Sequence, residues 1–88
     1  DVFVDLSPHF KRAYRALPLQ LQVDFEKKIQ IFIQDPRHPS LKIHKLKGQF
    51  HECLAFRLMK GYRVLFEFSA NDTVHLLDIG SHDIYKKR

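Results

Sequence analysis

The sequence predicts an α+β fold: a first strand, a two-helix hairpin, then an antiparallel sheet of about four strands with the helices packed on one face. Three observations predict it. Apolar side chains recur at helical spacing between residues 10 and 33. From residue 41 onward the apolar period becomes two. Proline and glycine stand where one pattern gives way to the next.

Val2-Phe3-Val4-Asp5-Leu6 reads as the first strand. Ser7-Pro8 is a helix start, a hydroxyl that caps free N–H groups followed by a residue that fits the first helical position. Phe10, Ala13, Tyr14 and Leu17 then share one helical face, and Pro18 ends this helix and opens the next. Leu21, Phe25, Ile29, Phe32 and Ile33 form a longer apolar stripe, stopped by Asp35-Pro36. Residues 41–46 alternate with period two, and Phe50–Leu58, Tyr62–Phe68 and Val74–Ile79 read as three further strands. Met59-Lys60-Gly61 suits a three-residue hairpin loop with glycine in the left-handed position. That loop pairs Leu58 with Tyr62, Arg57 with Arg63, Phe56 with Val64 and Leu54 with Phe66. Phe56, Leu54, Val64 and Phe66 then face the helices, while Arg57 and Arg63 meet on the opposite face, which this arrangement leaves open for a ligand. Two like charges directly opposite repel unless an anion lies between them. The other reading is that both splay into water, or that Asp78, placed beside Arg63 by a four-residue loop at 69–72, neutralises one.

With 88 residues the chain has the length of one domain, taken as 1–88. Hydrophobic residues make up 44%, enough for a core and too many for general disorder. The single cysteine, Cys53, builds no disulfide framework and reads as a small core residue. No apolar run approaches the ~20 residues that span a bilayer, and the first residues have no signal-peptide pattern, so a cytoplasmic location is expected, with no membrane partner. The net charge is +5 and unevenly placed. Basic and acidic side chains balance over residues 1–35, whereas residues 36–63 hold seven basic residues against Glu52 alone, and the chain closes on Lys86, Lys87 and Arg88. A focused basic segment suits RNA, DNA or an acidic protein.

Six histidines are scattered at 9, 38, 44, 51, 75 and 82 without metal-ligand spacing, so neither a metal nor another cofactor is expected. Phosphate loops and nucleophile elbows are missing from the sequence. His44, in the basic strand, and His82, just past the last strand, sit where function collects, and two histidines can divide general base from general acid. RNA supplies its own nucleophile in the 2′-hydroxyl. Tyr85, ahead of the terminal cations, suits stacking on an unpaired base, or else anchors the C-terminus to the core. His9, His38 and His75 read as structural or surface residues.

His38-Pro39-Ser40-Leu41, His44-Lys45-Leu46-Lys47-Gly48, Tyr62-Arg63-Val64-Leu65-Phe66 and residues 76–85 together resemble the RelE/ParE toxin superfamily, and within it the RelE and YafQ-like messenger RNA interferases. The resemblance implies a RelE-like fold, binding in the ribosomal A site, and metal-independent cleavage of messenger RNA there by 2′-hydroxyl attack. It also implies a cognate antitoxin that forms a hetero-oligomer with the toxin. By motif, His44 matches the YafQ-like histidine before the Leu-x-Gly turn, Arg63 a phosphate-stabilising arginine, His82 the histidine (in RelE an arginine) after the last strand, and Tyr85 the C-terminal aromatic. Arg57 stands about where YafQ-like enzymes carry a further histidine, and their central aspartate has no clear match here. The catalytic set is therefore His44 as base, His82 as acid, Arg57, Arg63 and Tyr85, with Lys42, Lys45, Lys47, Lys86 and Lys87 as RNA-binding residues. The alternatives are a ParE-like inhibitor of DNA gyrase, a plain RNA-binding module, and an inactive relative.

Overall fold

The computed structural model describes residues 1–46 and 53–87, the last three of these by backbone alone. Strand β1 (Phe3–Leu6) leads through Ser7 into helix α1 (Pro8–Arg15), and α2 (Leu19–Gln34) follows after a break at Pro18. Strands β2 (His44–Lys45), β3 (Leu54–Arg57), β4 (Arg63–Phe68) and β5 (Thr73–Gly80) follow, and a 3-10 turn (His82–Lys87) comes last. The predicted α+β order holds. The sheet has five strands in the order β1-β5-β4-β3-β2. β2 to β5 form an antiparallel meander, and β1 lies parallel to β5 at the far edge. Parallel pairing needs a long crossover, and the helical hairpin between β1 and the meander supplies it.

The local signals account for the helices. Ser7 Oγ accepts from Phe10 N at 2.9 Å and donates to Leu77 O at 3.1 Å, so the cap also ties α1 to β5. Asp35 ends α2 in an extended conformation before Pro36. Phe10 and the stripe residues Leu21, Phe25, Ile29 and Phe32 are buried. Phe32 lies 5.2 Å from Phe56 and 4.9 Å from Phe66, ring to ring, so α2 packs directly on the face that Leu54, Phe56, Val64 and Phe66 build. The helices cover one face of the sheet, as expected.

The β3–β4 register is the predicted one: Leu54↔Phe66, Phe56↔Val64 and Arg57↔Arg63, with Leu58 N donating to Tyr62 O at 2.7 Å. Gly61 takes φ +75°, and Lys60 also has positive φ, at 58°. The strained lysine is held from α2, where Gln20 Oε1 accepts from Lys60 Nζ at 2.9 Å. Beside it, the nearly buried Asp24 carboxylate accepts from Met59 N at 2.8 Å and pairs with Lys28 at 3.2 Å. The second helix thus grips the hairpin tip.

Three expectations need correction, and two fall outside the described residues. Residues 41–46 do not form a full strand. Pro39–Leu41 is a 3-10 turn capped by His38, Lys42 is left-handed at φ 50°, and only His44–Lys45 pairs. Part of the predicted strand from Phe50 lies outside the described residues, as does Lys47. The face away from the helices is not open at its centre, since Ala55 and Leu65 on it are fully buried. Cys53 is half-buried and shares the strand parity of Ala55 and Arg57, so it is not a core residue facing the helices.

Tyr14 is the phenol that links α1 to Glu26 of α2. Burial, then the hydrogen bond to Glu26 Oε2 at 2.8 Å and that carboxylate's charge, push the phenol from 10.0 up to about 12. The folded state therefore holds the phenolic proton more tightly than the unfolded chain. The stability this contributes is complete below the unfolded value and is lost as pH climbs from about 10 to about 12. Tyr14→Phe should lose less stability than the parent across that window, read by urea unfolding at a series of pH values. Parallel losses in both proteins would refute the assignment.

Candidate functional site

Strand direction gathers the candidate residues at one end of the sheet. β2 begins at His44, β3 ends at Arg57, β4 begins at Arg63 and β5 ends at Gly80. Because these strands run antiparallel in turn, all four termini lie at the same end. Cross-strand partners share a face, as do residues two apart. His44 is paired with Ala55, Arg57 with Arg63, and Arg63 with Gly80, so His44, Arg57 and Arg63 leave the face opposite Phe56 and Val64. Three strand spacings of about 4.8 Å, roughly 14 Å in all, separate β2 from β5.

Each side chain has a local support. Arg63 is half-buried, and its Nε and Nη2 donate to Gly61 O at 3.4 and 3.2 Å, which holds the guanidinium over the hairpin turn. Arg57 is exposed beside it. His44 is half-buried with Nδ1 3.4 Å from Lys42 O. A carbonyl only accepts, so Nδ1 carries the proton and Nε2 the lone pair in the neutral ring. His82 is exposed and opens the last 3-10 turn, two residues beyond Gly80. That turn is seated on the sheet by Ile84, which is buried against Gly80. Tyr85, Lys86 and Lys87 follow in the same turn, with side chains outside the described residues. Lys45 pairs with Leu54, a residue of the helix-facing side, so it leaves β2 away from His44. Lys42 is exposed just ahead of β2.

Asp78 does not sit beside Arg63. An irregularity at Leu65/Phe66 makes Leu77 an extra residue in β5, which puts Leu65 opposite Asp78 and Arg63 opposite Gly80. Asp78 is 2% exposed. Its Oδ1 accepts from Ile79 N at 2.8 Å and lies 3.1 Å from His9 Nε2 on α1, while Oδ2 has no hydrogen-bond partner among the described residues. Sequence reading left His9 as a structural or surface residue and tied Asp78 to the wrong strand neighbour for two reasons: Phe68 pairs with Val74 and not with Thr73, so the expected four-residue loop at 69–72 is one residue out, and the irregularity at Leu65/Phe66 adds a second residue of shift. His75, also read as surface or structural, stands 3.0 Å from Asp5 across β1 and β5, in the same cross-strand row as Glu67. The ligand-side face therefore runs from cationic at the Arg57–Arg63 end to acidic at the other.

No protein-family model matches the chain, and no curated protein matches it in sequence. Solved structures do match in shape. YafQ from E. coli strain BL21(DE3) superposes with a TM-score of 0.79 at 9% identity, covering 97% of this chain and 98% of that one. The chain has the RelE/ParE toxin fold. The YoeB/ParE toxin from Agrobacterium tumefaciens gives 0.77 at 12% identity, covering 92% and 99%. The intact E. coli RelBE toxin–antitoxin complex contains a chain that gives 0.72 at 22% identity, covering 92% and 96%. At these identities the likeness is one of fold, and it extends over nearly the whole of each chain. Among the described residues, no helix of this RelE/ParE-like chain is long and apolar enough to cross a membrane.

The seating of the last turn is testable. A Cβ at residue 80 would lie 2.6 Å from Cγ2 of the buried Ile84, so one of the two must shift. Gly80→Ala should therefore lower the unfolding free energy by about 1–3 kcal/mol, the usual penalty of overpacking. An unchanged urea midpoint would show that the turn does not rest on Gly80.

Proposed function

We propose that this protein is the toxin of a toxin–antitoxin pair and cuts messenger RNA in the ribosomal A site. The observation that carries the reading is the placement of His44, Arg57 and Arg63 on one face, at the sheet end from which β5 delivers His82. The fold shared with YafQ, RelE and YoeB/ParE toxins supports it, and the RelBE complex supports an antitoxin as partner.

The chemistry follows from the groups present. His44 Nε2 takes the proton of a ribose 2′-hydroxyl, whose oxygen attacks the adjacent phosphorus. As that P–O bond forms, negative charge grows on the phosphoryl oxygens. Two arginines at directly paired strand positions stabilise it, Arg63 with its guanidinium already held by Gly61 O. His82, in its protonated form, gives its proton to the departing 5′-oxygen as the P–O5′ bond breaks. The products are a 2′,3′-cyclic phosphate and a 5′-hydroxyl. The nucleophile belongs to the substrate, so the reading requires no metal or cofactor from the protein. Tyr85 and the terminal lysines complete it by stacking on a base and holding flanking phosphates.

The test is a primer-extension map of 5′ ends on messenger in a translating extract. The wild-type protein should create new ends inside codons. Arg63→Ala should reduce cleavage by roughly 10²–10³-fold, and His44→Ala or His82→Ala by roughly 10²–10⁴-fold, with unfolding midpoints little changed because none of the three is a core residue. Full cleavage by all three variants would refute the site. Poisoned gyrase with no new RNA ends would instead favour the ParE-like alternative.

A further inference from the structure

A second feature lies on the helix side of the sheet edge. The loop from α2 to β2 and the ends of β3 and β4 enclose a hollow of about 520 Å³. Arg37, His38 and Lys42 form its polar lining and Ile43, Leu54 and Phe68 its apolar lining, together with two prolines. No acidic side chain is among its lining residues that the structure describes.

The polar lining is organised for anions. His38 Nδ1 accepts from Ser40 N at 3.1 Å, and Ser40 Oγ lies 2.8 Å away. With Nδ1 used as acceptor, the neutral ring carries its proton on Nε2, so His38 presents a donor at any protonation state. Lys42 sits at φ 50°, a backbone conformation that turns this residue out of the strand direction of β2. The apolar lining offers a ring. Phe68 is 50% exposed, although its neighbours Val64 and Phe66 on β4 are fully buried. It is steadied edge-to-face by Phe66, with centroids 5.7 Å apart and planes at 83°. A half-exposed aromatic with a fixed plane beside three donor groups matches what an unpaired nucleotide asks for, a stacking surface and cations for its phosphate.

The hollow also adjoins the candidate site along the chain. Ile43 packs with the core on the helix side, and His44 is paired with Ala55 on the other. A strand of nucleic acid rounding the two-residue edge strand β2 would pass from one to the other. We infer that this hollow is a subsite for an unpaired nucleotide of single-stranded RNA, its base on Phe68 and its phosphate on Arg37, His38 and Lys42. The assignment of RNA as the ligand rests on the proposed nuclease reading.

Fluorescence anisotropy with a labelled, unstructured 2′-O-methyl oligoribonucleotide, which offers no free 2′-hydroxyl, measures this directly on the whole chain. Phe68→Leu keeps bulk against Phe66 and removes the stacking ring. It should weaken RNA binding at least about fivefold and leave binding of inorganic polyphosphate unchanged. Arg37→Gln with Lys42→Asn, asparagine being tolerant of the left-handed backbone, should weaken both ligands and reduce the RNA salt slope by about 1.4. Unchanged RNA binding in Phe68→Leu would overturn the base subsite, and equal displacement of the RNA by poly-glutamate would assign the hollow to an acidic protein segment. Cleavage on ribosomes, measured in parallel, separates the two proposals. Binding through the hollow without cleavage refutes the nuclease reading alone, and cleavage with undiminished binding in both hollow variants refutes the subsite alone.

Discussion

The hairpin at residues 59–61 fixes what the rest of the site uses. A one-residue slip of β3 against β4 would turn the apolar set of one strand outward, Phe56 or Val64 with it, and carry that strand's arginine into the core. Two forces prevent it. The apolar face, closed by Phe32 against Phe56 and Phe66, loses burial on any slip. The turn itself is clamped from α2 through Asp24 to Met59 N and Gln20 to Lys60 Nζ. Packing on one side of the sheet thereby sets two cations opposite each other on the other side, against their repulsion.

The same face changes sign along its length. At the Arg57–Arg63 end it is basic, in the middle Ala55 and Leu65 are covered, and at the far end Asp5, His75 and Glu67 occupy one cross-strand row. A polyanion drawn to this face has one favourable end. The acidic row disfavours phosphates further along. At β5 the chain makes a second connection, from the Asp78 carboxylate to His9 of α1, and Ser7 bonds Leu77 just beside it. Helix α1 and the strand that delivers His82 are thus held to each other by polar contacts as well as by the core.

Much of this was legible in the sequence, and the reasons differ by element. Ser7-Pro8, Pro18 and Asp35-Pro36 act through their own backbone chemistry, so the helix limits could be read locally. The β3–β4 register was readable because a short loop leaves few ways to align two alternating strands. The parallel pairing of β1 with β5 was not, since nothing local to Phe3–Leu6 says which of the later strands it will meet. The β4–β5 loop was read one residue short and the extra residue at Leu77 was not read, so Asp78 was given the wrong cross-strand neighbour, and its contact with His9 of α1 is tertiary. Residues 41–43 alternate like a strand, yet the His38 cap and the left-handed Lys42 make them a turn, a case of local side-chain bonding overriding periodicity. Of the candidate residues, Arg57 and Arg63 were placed on one face by strand parity alone, whereas the face of His44 follows only from its pairing with Ala55, and Lys45, read as an RNA-binding residue, leaves β2 on the other side.

The account stands on Arg57 and Arg63 forming a phosphate-sized cationic pair. A double-mutant cycle replacing each by glutamine, read by urea unfolding at low ionic strength, measures their coupling. The predicted result is a net repulsion of roughly 0.2–1 kcal/mol that inorganic phosphate relieves and chloride at matched ionic strength does not. A coupling that is zero or attractive without phosphate, or that responds equally to both anions, would contradict it.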